Sequence, residues 1–132
     1  MRNDDARRTI LIVERDRNVR ELQLVFLNNA GFAVEFADDG QSALDRVRLD
    51  APALLITEIL IPRIDGLTLC RLVRSDPAIG GVPVMIFSIL AAAARATDAG
   101  AAAFLRKPLV ESTFLAVITE VLMNANTVVA VR

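Results

Sequence analysis

The sequence predicts an α/β fold: a parallel sheet of five strands, with helices packed on both of its faces. Two observations carry this. Short apolar runs alternate with helix-patterned stretches five times, and the loops between them are short. The third run, Leu54-Leu55-Ile56, is apolar at every position, which suits a strand buried on both sides. Strands joined through helices cross over right-handed and end on a common edge. In open α/β sheets that edge collects ligands and chemistry. The third run ends there in one carboxylate, Glu58, followed by Pro62 and an Asp65-Gly66 turn.

The elements follow in order. Thr9 to Val13 is the first strand. Asp16 is the N-cap of a helix from Arg17 to Asn29, and Gly31 closes it. Leu22, Val25 and Phe26 read as that helix's core stripe, with Leu24 and Leu27 on another face. Val34 to Ala37 is the second strand. Asp38-Asp39-Gly40 turns into a helix from Gln41 to Leu49, stopped by Pro52. Gly66 to Ser75 is the third helix, with Leu69, Leu72 and Val73 on one face. Asp76-Pro77 and Gly80-Gly81 mark a loop before the fourth strand, Val82 to Phe87. An alanine-rich helix spans Leu90 to Ala99 and ends at Gly100. Ala102 to Leu105 is the fifth strand. Lys107-Pro108 leads into the last helix, Glu111 to Asn124, which turns Phe114, Ile118, Val121 and Ala125 inward. Leu115, Leu122 and Met123 remain over, so the last helices are a candidate dimer or partner surface. The whole reads as one domain over residues 1–132, with its core at 9–123 and tails at 1–8 and 125–132. The apolar Val128-Val129-Ala130-Val131 either frays or pairs with another subunit.

Composition narrows the function. The chain has 132 residues, 54% of them hydrophobic, and a mean hydropathy of +0.45. Two-sided burial of strands accounts for that. The longest apolar block, Val82 to Ala94, is broken by Pro83 and Ser88 and is shorter than the roughly 20 residues that span a bilayer. Ile10 to Val13 is too short for a signal peptide's apolar region. No membrane association and a cytoplasmic location are expected. The net charge of −1 and the lack of a basic stripe give no nucleic-acid footprint. A lone Cys70 excludes an internal disulfide and a cysteine zinc cluster. With no histidine, there is no Ser-His or Cys-His pair and no phosphohistidine.

Polar residues gather at the strand ends: Glu14-Arg15-Asp16 after the first, Glu58 after the third, Ser88 after the fourth, Lys107-Pro108 after the fifth. An acid, a hydroxyl and an amine thus converge on Glu58. Together with Ile10-Leu11-Ile12-Val13, Ile61-Pro62-Arg63-Ile64-Asp65-Gly66 and Gly100-Ala101-Ala102-Ala103-Phe104-Leu105, this resembles the receiver domain of two-component response regulators. The resemblance covers about Thr9 to Met123. It implies a flavodoxin-like (βα)5 sheet of strand order 2-1-3-4-5. It also implies phosphoryl transfer from a kinase phosphohistidine to an aspartate, with Mg²⁺ held by that residue, an acid after the first strand and a backbone carbonyl. The physics is charge neutralisation by a hard cation and a lysine. Ser88 matches the hydroxyl position, Lys107 the lysine, and the Leu60 carbonyl the backbone ligand. Phe104 matches the aromatic that swings inward when the hydroxyl engages phosphate. It reads equally as core, and without a tyrosine hydroxyl an inward pose is favoured. The bond before Pro108 is often cis in the family.

Three positions depart from the pattern. Glu58 stands where the family has its phosphoacceptor aspartate. Glu14 keeps the first acid of the strand-one pair, but Arg15 replaces the second, a main metal ligand. Asp16, one residue on, is the alternative acid. Lys107 follows Ser88 by 19 residues, about three fewer than usual, nearly one turn at 3.6 residues per turn. Glu58 carries its carboxylate one carbon–carbon bond, ~1.5 Å, farther out than aspartate. In-line transfer is sensitive at that scale, so Glu58 should be a poor acceptor. It should instead reach toward Ser88 and Lys107, imitating a phosphorylated aspartate in an active-like form. Arg15 should repel Mg²⁺ and pair with Glu58 or Glu14.

Three readings follow. The first is a non-enzymatic interaction module in one fixed conformation, whose partner is a histidine kinase, a phosphotransfer protein or an output domain. The second is a working phosphoacceptor. The third is the receiver segment of a longer transcriptional regulator or hybrid kinase. A flavin site is disfavoured, because the chain lacks Trp and Tyr to stack a ring.

Overall fold

Thr9–Val13 (β1) is the pivot of the sheet. It pairs in parallel with Ala33–Ala37 (β2) on one side and Leu54–Thr57 (β3) on the other. Val84–Ser88 (β4) and Ala103–Arg106 (β5) extend the sheet beyond β3, giving the order β2-β1-β3-β4-β5. The computed structural model describes residues 8–131, with side chains through Ala125. The helices are Arg17–Asn29 (α1), Gly40–Leu49 (α2), Gly66–Ser75 (α3), Ala93–Asp98 (α4) and Glu111–Val131 (α5). The expected flavodoxin-like α/β class and strand order are both met.

Side chains alternate across the sheet with a period of two, so each strand feeds two cores. Ile10, Ile12, Leu54, Ile56, Met85 and Phe87 pack with Phe114, Ile118, Val121 and Leu122 of α5 and Leu27 of α1. The rings of Phe87 and Phe114 meet at 5.4 Å, tilted by 49°, a favoured aromatic geometry. On the other face, Leu11, Val13, Leu55, Val84 and Ile86 pack with α2, α3 and Ala96 of α4.

Three aspartates start helices. Asp16 accepts from the Asn18 and Val19 amides at 2.9 and 3.2 Å. Asp39 accepts from Ser42 N at 2.7 Å and Asp65 from Thr68 N at 2.9 Å. Each satisfies a donor that the first helical turn leaves open.

Several expectations need correction. The core stripe of α1 is Val19, Gln23, Phe26 and Leu27, not Leu22, Val25 and Phe26. Leu22 and Val25 are 46% and 51% exposed, and Leu27 is fully buried. The segment Leu22 to Leu27 is apolar at every position but one, so hydrophobicity alone does not set the helix phase. The Asp16 cap and the pairing of β1 do. In α5, Leu122 enters the core and Ala125 faces solvent. α4 is six residues long and starts at Ala93, with Ala92 as an N-cap that makes no side-chain bond. Leu90 N is instead held by Ser88 Oγ at 3.1 Å. β4 begins at Val84, since Pro83 has no amide to donate. β5 runs one residue further, to Arg106. α5 continues to Val131 instead of ending at Asn124, and no glycine or proline lies there to stop it. Residues 1–7 and the side chains of the apolar tail, where an intersubunit arm was one expectation, lie outside the described residues. Among the described residues no helix is long and apolar enough to cross a membrane.

Candidate functional site

The site forms because parallel register stops β1, β3 and β4 at one level. Val13 pairs with Thr57, and Thr57 with Ile86. Glu14, Glu58 and Ser88 therefore leave adjacent strands together, and all three are buried. β5 pairs Arg106 with Ser88, and Lys107 N donates to Ser88 O at 2.8 Å. That delivers the Lys107 ammonium across the strand ends.

Glu58 is bound by four donors. Its Oε1 accepts from Ser88 Oγ in a short hydrogen bond, and from its neighbour Ile59 N at 2.6 Å. Its Oε2 accepts from Ile89 N at 3.1 Å and pairs with Lys107 Nζ at 3.1 Å. Lys107 Nζ also pairs with Glu14 Oε2 at 3.0 Å. Glu14 Oε2 accepts in turn from Asp16 N at 3.1 Å. Lys107 thus bridges two buried carboxylates, and its ammonium lies 5.7 Å from the Phe87 ring centroid.

The charges are tuned by this packing. Burial alone would raise the Glu58 carboxyl, but Ser88, the Ile59 amide and Lys107 together hold it below its ordinary value. Burial would likewise lower Lys107, but Glu14 and Glu58 hold it above its ordinary value. Both groups are therefore charged at neutral pH.

The other expected residues take different places. Arg15 is exposed, and among the described residues it pairs with neither Glu58 nor Glu14. The expected pairing is corrected: both carboxylates take Lys107 instead. Adjacent residues on an extended chain point opposite ways, so Glu14 turned inward leaves Arg15 turned out. The Asp16 carboxylate is committed to the α1 N-terminus. Phe104 is half-buried and packs against the core beneath α2, α3 and α4. Among the described residues no three His, Cys, Asp or Glu side chains are grouped to hold a metal. The Lys107–Pro108 bond is cis.

Sequence reasoning missed two features. The amides of Ile59 and Ile89 are half of Glu58's donors, and backbone donors leave no mark on residue identity. The other is a brace on the loop after Glu58. Arg63 has φ +72°, and Ile64 N donates to Pro62 O at 2.9 Å around it, which makes a γ-turn of the strained hand. Gly40 N donates to Pro62 O at 3.1 Å, and Arg63 Nη1 lies 3.7 Å from Asp39 Oδ2. A Cβ at Gly40 would overlap the Ile64 carbonyl, and one at Gly66 the Glu58 carbonyl. Glycine at both positions lets the loop fold back on the site. The pairing of Asp39-Gly40 with Pro62-Arg63 was the available signal.

Known proteins agree with this architecture. The family model of the response regulator receiver domain matches residues 10–119. Response regulator MprA of Mycobacterium avium is 36% identical over 110 residues, covering 81% of this chain and 47% of that protein. The chain therefore spans about half the length of the curated relatives it matches. A crystal structure of a putative response regulator from Chloroflexus aurantiacus superposes with a TM-score of 0.84 at 32% identity, covering 89% of this chain and 98% of that one. The receiver domain of a signal transduction histidine kinase from Syntrophus aciditrophicus gives 0.82 at 28% identity, covering 89% and 91%. With a parallel sheet of this order, acid, hydroxyl and lysine at its C-terminal edge, and relatives similar in sequence and in fold, the chain belongs to the response regulator receiver domain family of two-component signalling.

Proposed function

We propose that this is a degenerate receiver that acts by protein–protein interaction in one fixed, active-like conformation, without being switched by phosphorylation. The observation that carries this is the coordination of Glu58. Its own carboxylate holds Ser88 Oγ, the Ile89 amide and Lys107 Nζ, the kinds of donor that would otherwise grip transferred phosphoryl oxygens. The extra methylene of glutamate lets it reach them. The pocket is satisfied before any phosphate arrives.

The donor set does not suit the Mg²⁺ that receivers use. Glu14 and Glu58 are both committed to Lys107, and the third protein ligand position carries the cation Arg15. Hard divalent ions need several free oxygen ligands. Among the described residues of this pocket, the Leu60 carbonyl and two engaged carboxylates are what is offered.

The partner in this reading is a histidine kinase, a phosphotransfer protein or an output domain. A homodimer through the last helices belongs to the same proposal. The third reading, a receiver segment of a longer regulator, is favoured by coverage of only 47% of the MprA relatives' length. The test is an amide NMR titration with Mg²⁺ and then beryllofluoride. The fixed-conformation reading expects no shifts at Glu14, Glu58, Ser88 or Lys107. Saturable shifts at these residues that spread to Phe104 overturn it and establish a working phosphoacceptor.

A further inference from the structure

A cavity of about 480 Å³ opens at the edge of the sheet opposite to Glu58. It lies where β4 and β5 begin, between the end of α3 and the second half of α5. Two glycine turns form its rim: Gly80-Gly81 before β4 and Gly100 before β5. A Cβ at Gly81 would meet nothing within 4 Å, so the mouth is open there. Pro83, Ala125 and the buried Val121 wall it with apolar carbon.

Among the described residues, Arg74 is the one charged side chain that lines the cavity. It is held in place twice. Its Nη1 donates to Gly80 O at 2.8 Å. Its stem lies against the other turn, where a Cβ added at Gly100 would come within 3.0 Å of Arg74 Cγ. An arginine fork carries five N–H donors in one plane. Gly80 uses one of them, and the same bond fixes the plane of those left over. Arg74 takes part in no ion pair among the described residues. Asn124 adds a carboxamide to the lining.

The neighbouring acids keep their charge but stand outside the cavity. Asp76 turns its carboxylate to Arg48 Nε at 3.1 Å and to Ala78 N at 2.9 Å. Asp98 on α4 and Glu120 on α5 are exposed, and neither lines the cavity. Selection of a ligand's charge therefore rests on direct contact with the seated guanidinium, not on a net field.

We propose that this cavity binds a small organic carboxylate with an apolar body. The carboxylate meets the free side of the Arg74 fork and the Asn124 amide, and the body lies on Pro83, Val121 and Ala125. A planar fork matches a carboxylate with paired hydrogen bonds. The volume is within the roughly 300–1,000 Å³ of small-molecule sites, which combine apolar walls with a few placed polar groups. The cavity shares no residue with the Glu58 site, so the proposal stands apart from the fixed-conformation reading.

The probes are phenylbutyrate, phenylbutyramide and phenylbutylamine, which share an apolar body and differ in the charge of the head group. Each is titrated into the whole chain at pH 7 and followed by amide NMR. The expected result is saturable shifts at Gly80, Gly81, Gly100 and Ala102 with phenylbutyrate, bound about tenfold or more tighter than the amide or the amine. Arg74→Gln removes this preference. Ala125→Trp fills the cavity from α5 and weakens phenylbutyrate about tenfold or more. Ala125 is exposed, so this variant keeps the dispersed spectrum of a folded domain. No saturable shifts with phenylbutyrate, equal affinity for the three probes, shifts confined to other faces, or unchanged binding in Ala125→Trp overturns the proposal. None of these outcomes bears on Glu58, which the Mg²⁺ and beryllofluoride titration tests separately.

Discussion

Replacing Lys107 by Met tests the ionic centre of the site most directly. The substitution keeps most of the apolar stem of the side chain and removes its charge. Glu14 and Glu58 are then left buried without a counter-ion. At an effective dielectric of about 20, each contact near 3 Å carries ~5 kcal/mol of attraction. Repulsion between the two carboxylates and the cost of burying the ammonium offset much of that. Removing one partner of a buried pair costs about 3–5 kcal/mol. The partial exposure of Lys107 and the four donors on Glu58 place the expectation at the lower end, about 3 kcal/mol. Urea unfolding at pH 7 reads this directly. With a slope of about 1–3 kcal/mol per molar, the midpoint falls by at least ~1 M.

The pH dependence has a definite sign. Glu58 is held below its ordinary value by Ser88, Ile59 and Lys107 acting against burial. It therefore contributes stability above its unfolded value, and this is lost as pH falls through the lower folded value. Lys107 is held above its ordinary value, so its contribution persists through neutral pH and is lost only as pH rises through that raised value. The gap between wild type and Lys107→Met should be widest near neutrality and close at acid pH. A midpoint shift under ~0.3 M at pH 7, or an equal shift at neutral and acid pH, would refute the ionic account.

Other outcomes follow from particular atoms. Gln23 is fully buried in α1, and neither its amide nitrogen nor its oxygen has a partner; Gln23→Leu should stabilise the fold by about 1–3 kcal/mol, and an unchanged or lower urea midpoint would contradict this. Glu58→Asp alone should leave Mg²⁺ without effect on the amide spectrum, while Arg15→Asp combined with Glu58→Asp should restore saturable shifts. A response in the single variant would show that Arg15 is not the barrier. Cys70 is buried, and burial pushes its thiol up to about 11. A thiol reagent at pH 8 should react with it only in urea, and rapid labelling of the native domain would mean that α3 opens readily.

Much of this was legible before any coordinates. Leu54-Leu55-Ile56 announces a strand buried on both faces, and the strand order follows from the receiver resemblance that Glu14, Ser88 and Lys107 carry. The Asp16 cap is equally plain, and Asp38-Asp39-Gly40 and Asp65-Gly66 read as turns into helices. What escaped has a common cause. In α1 the apolar residues occupy almost every position from Leu22 to Leu27, so periodicity carries no phase. In α4 the run of alanines is uniform, and Ala92 caps the helix without a side-chain bond, so no residue type marks where it starts. At the site, the residue types were readable but their partners were not. Arg15 was assigned to the carboxylates by charge, yet the alternation of an extended chain turns it away. Lys107, 93 positions from Glu14 in sequence, takes its place.

A receiver that switches must keep two conformations close in free energy, so that a covalent phosphate can tip them. Moving such an equilibrium from 1:99 to 99:1 takes about 5.5 kcal/mol of differential binding. Here the conformation with Ser88 and Lys107 turned to the acceptor is held by Glu58 itself. Leaving it would break the Ser88 bond, the Ile89 amide bond and one arm of the lysine bridge. Hydrogen bonds to charged groups contribute about 1.5–3 kcal/mol each. In the proposed fixed-conformation reading, even two of them suffice to hold the alternative conformation below ~1%. In that reading an acceptor aspartate at position 58 vacates the contacts made by the Glu58 carboxylate but leaves the cation Arg15 at the metal position, which is why the paired reversion of Glu58 and Arg15 is the discriminating experiment.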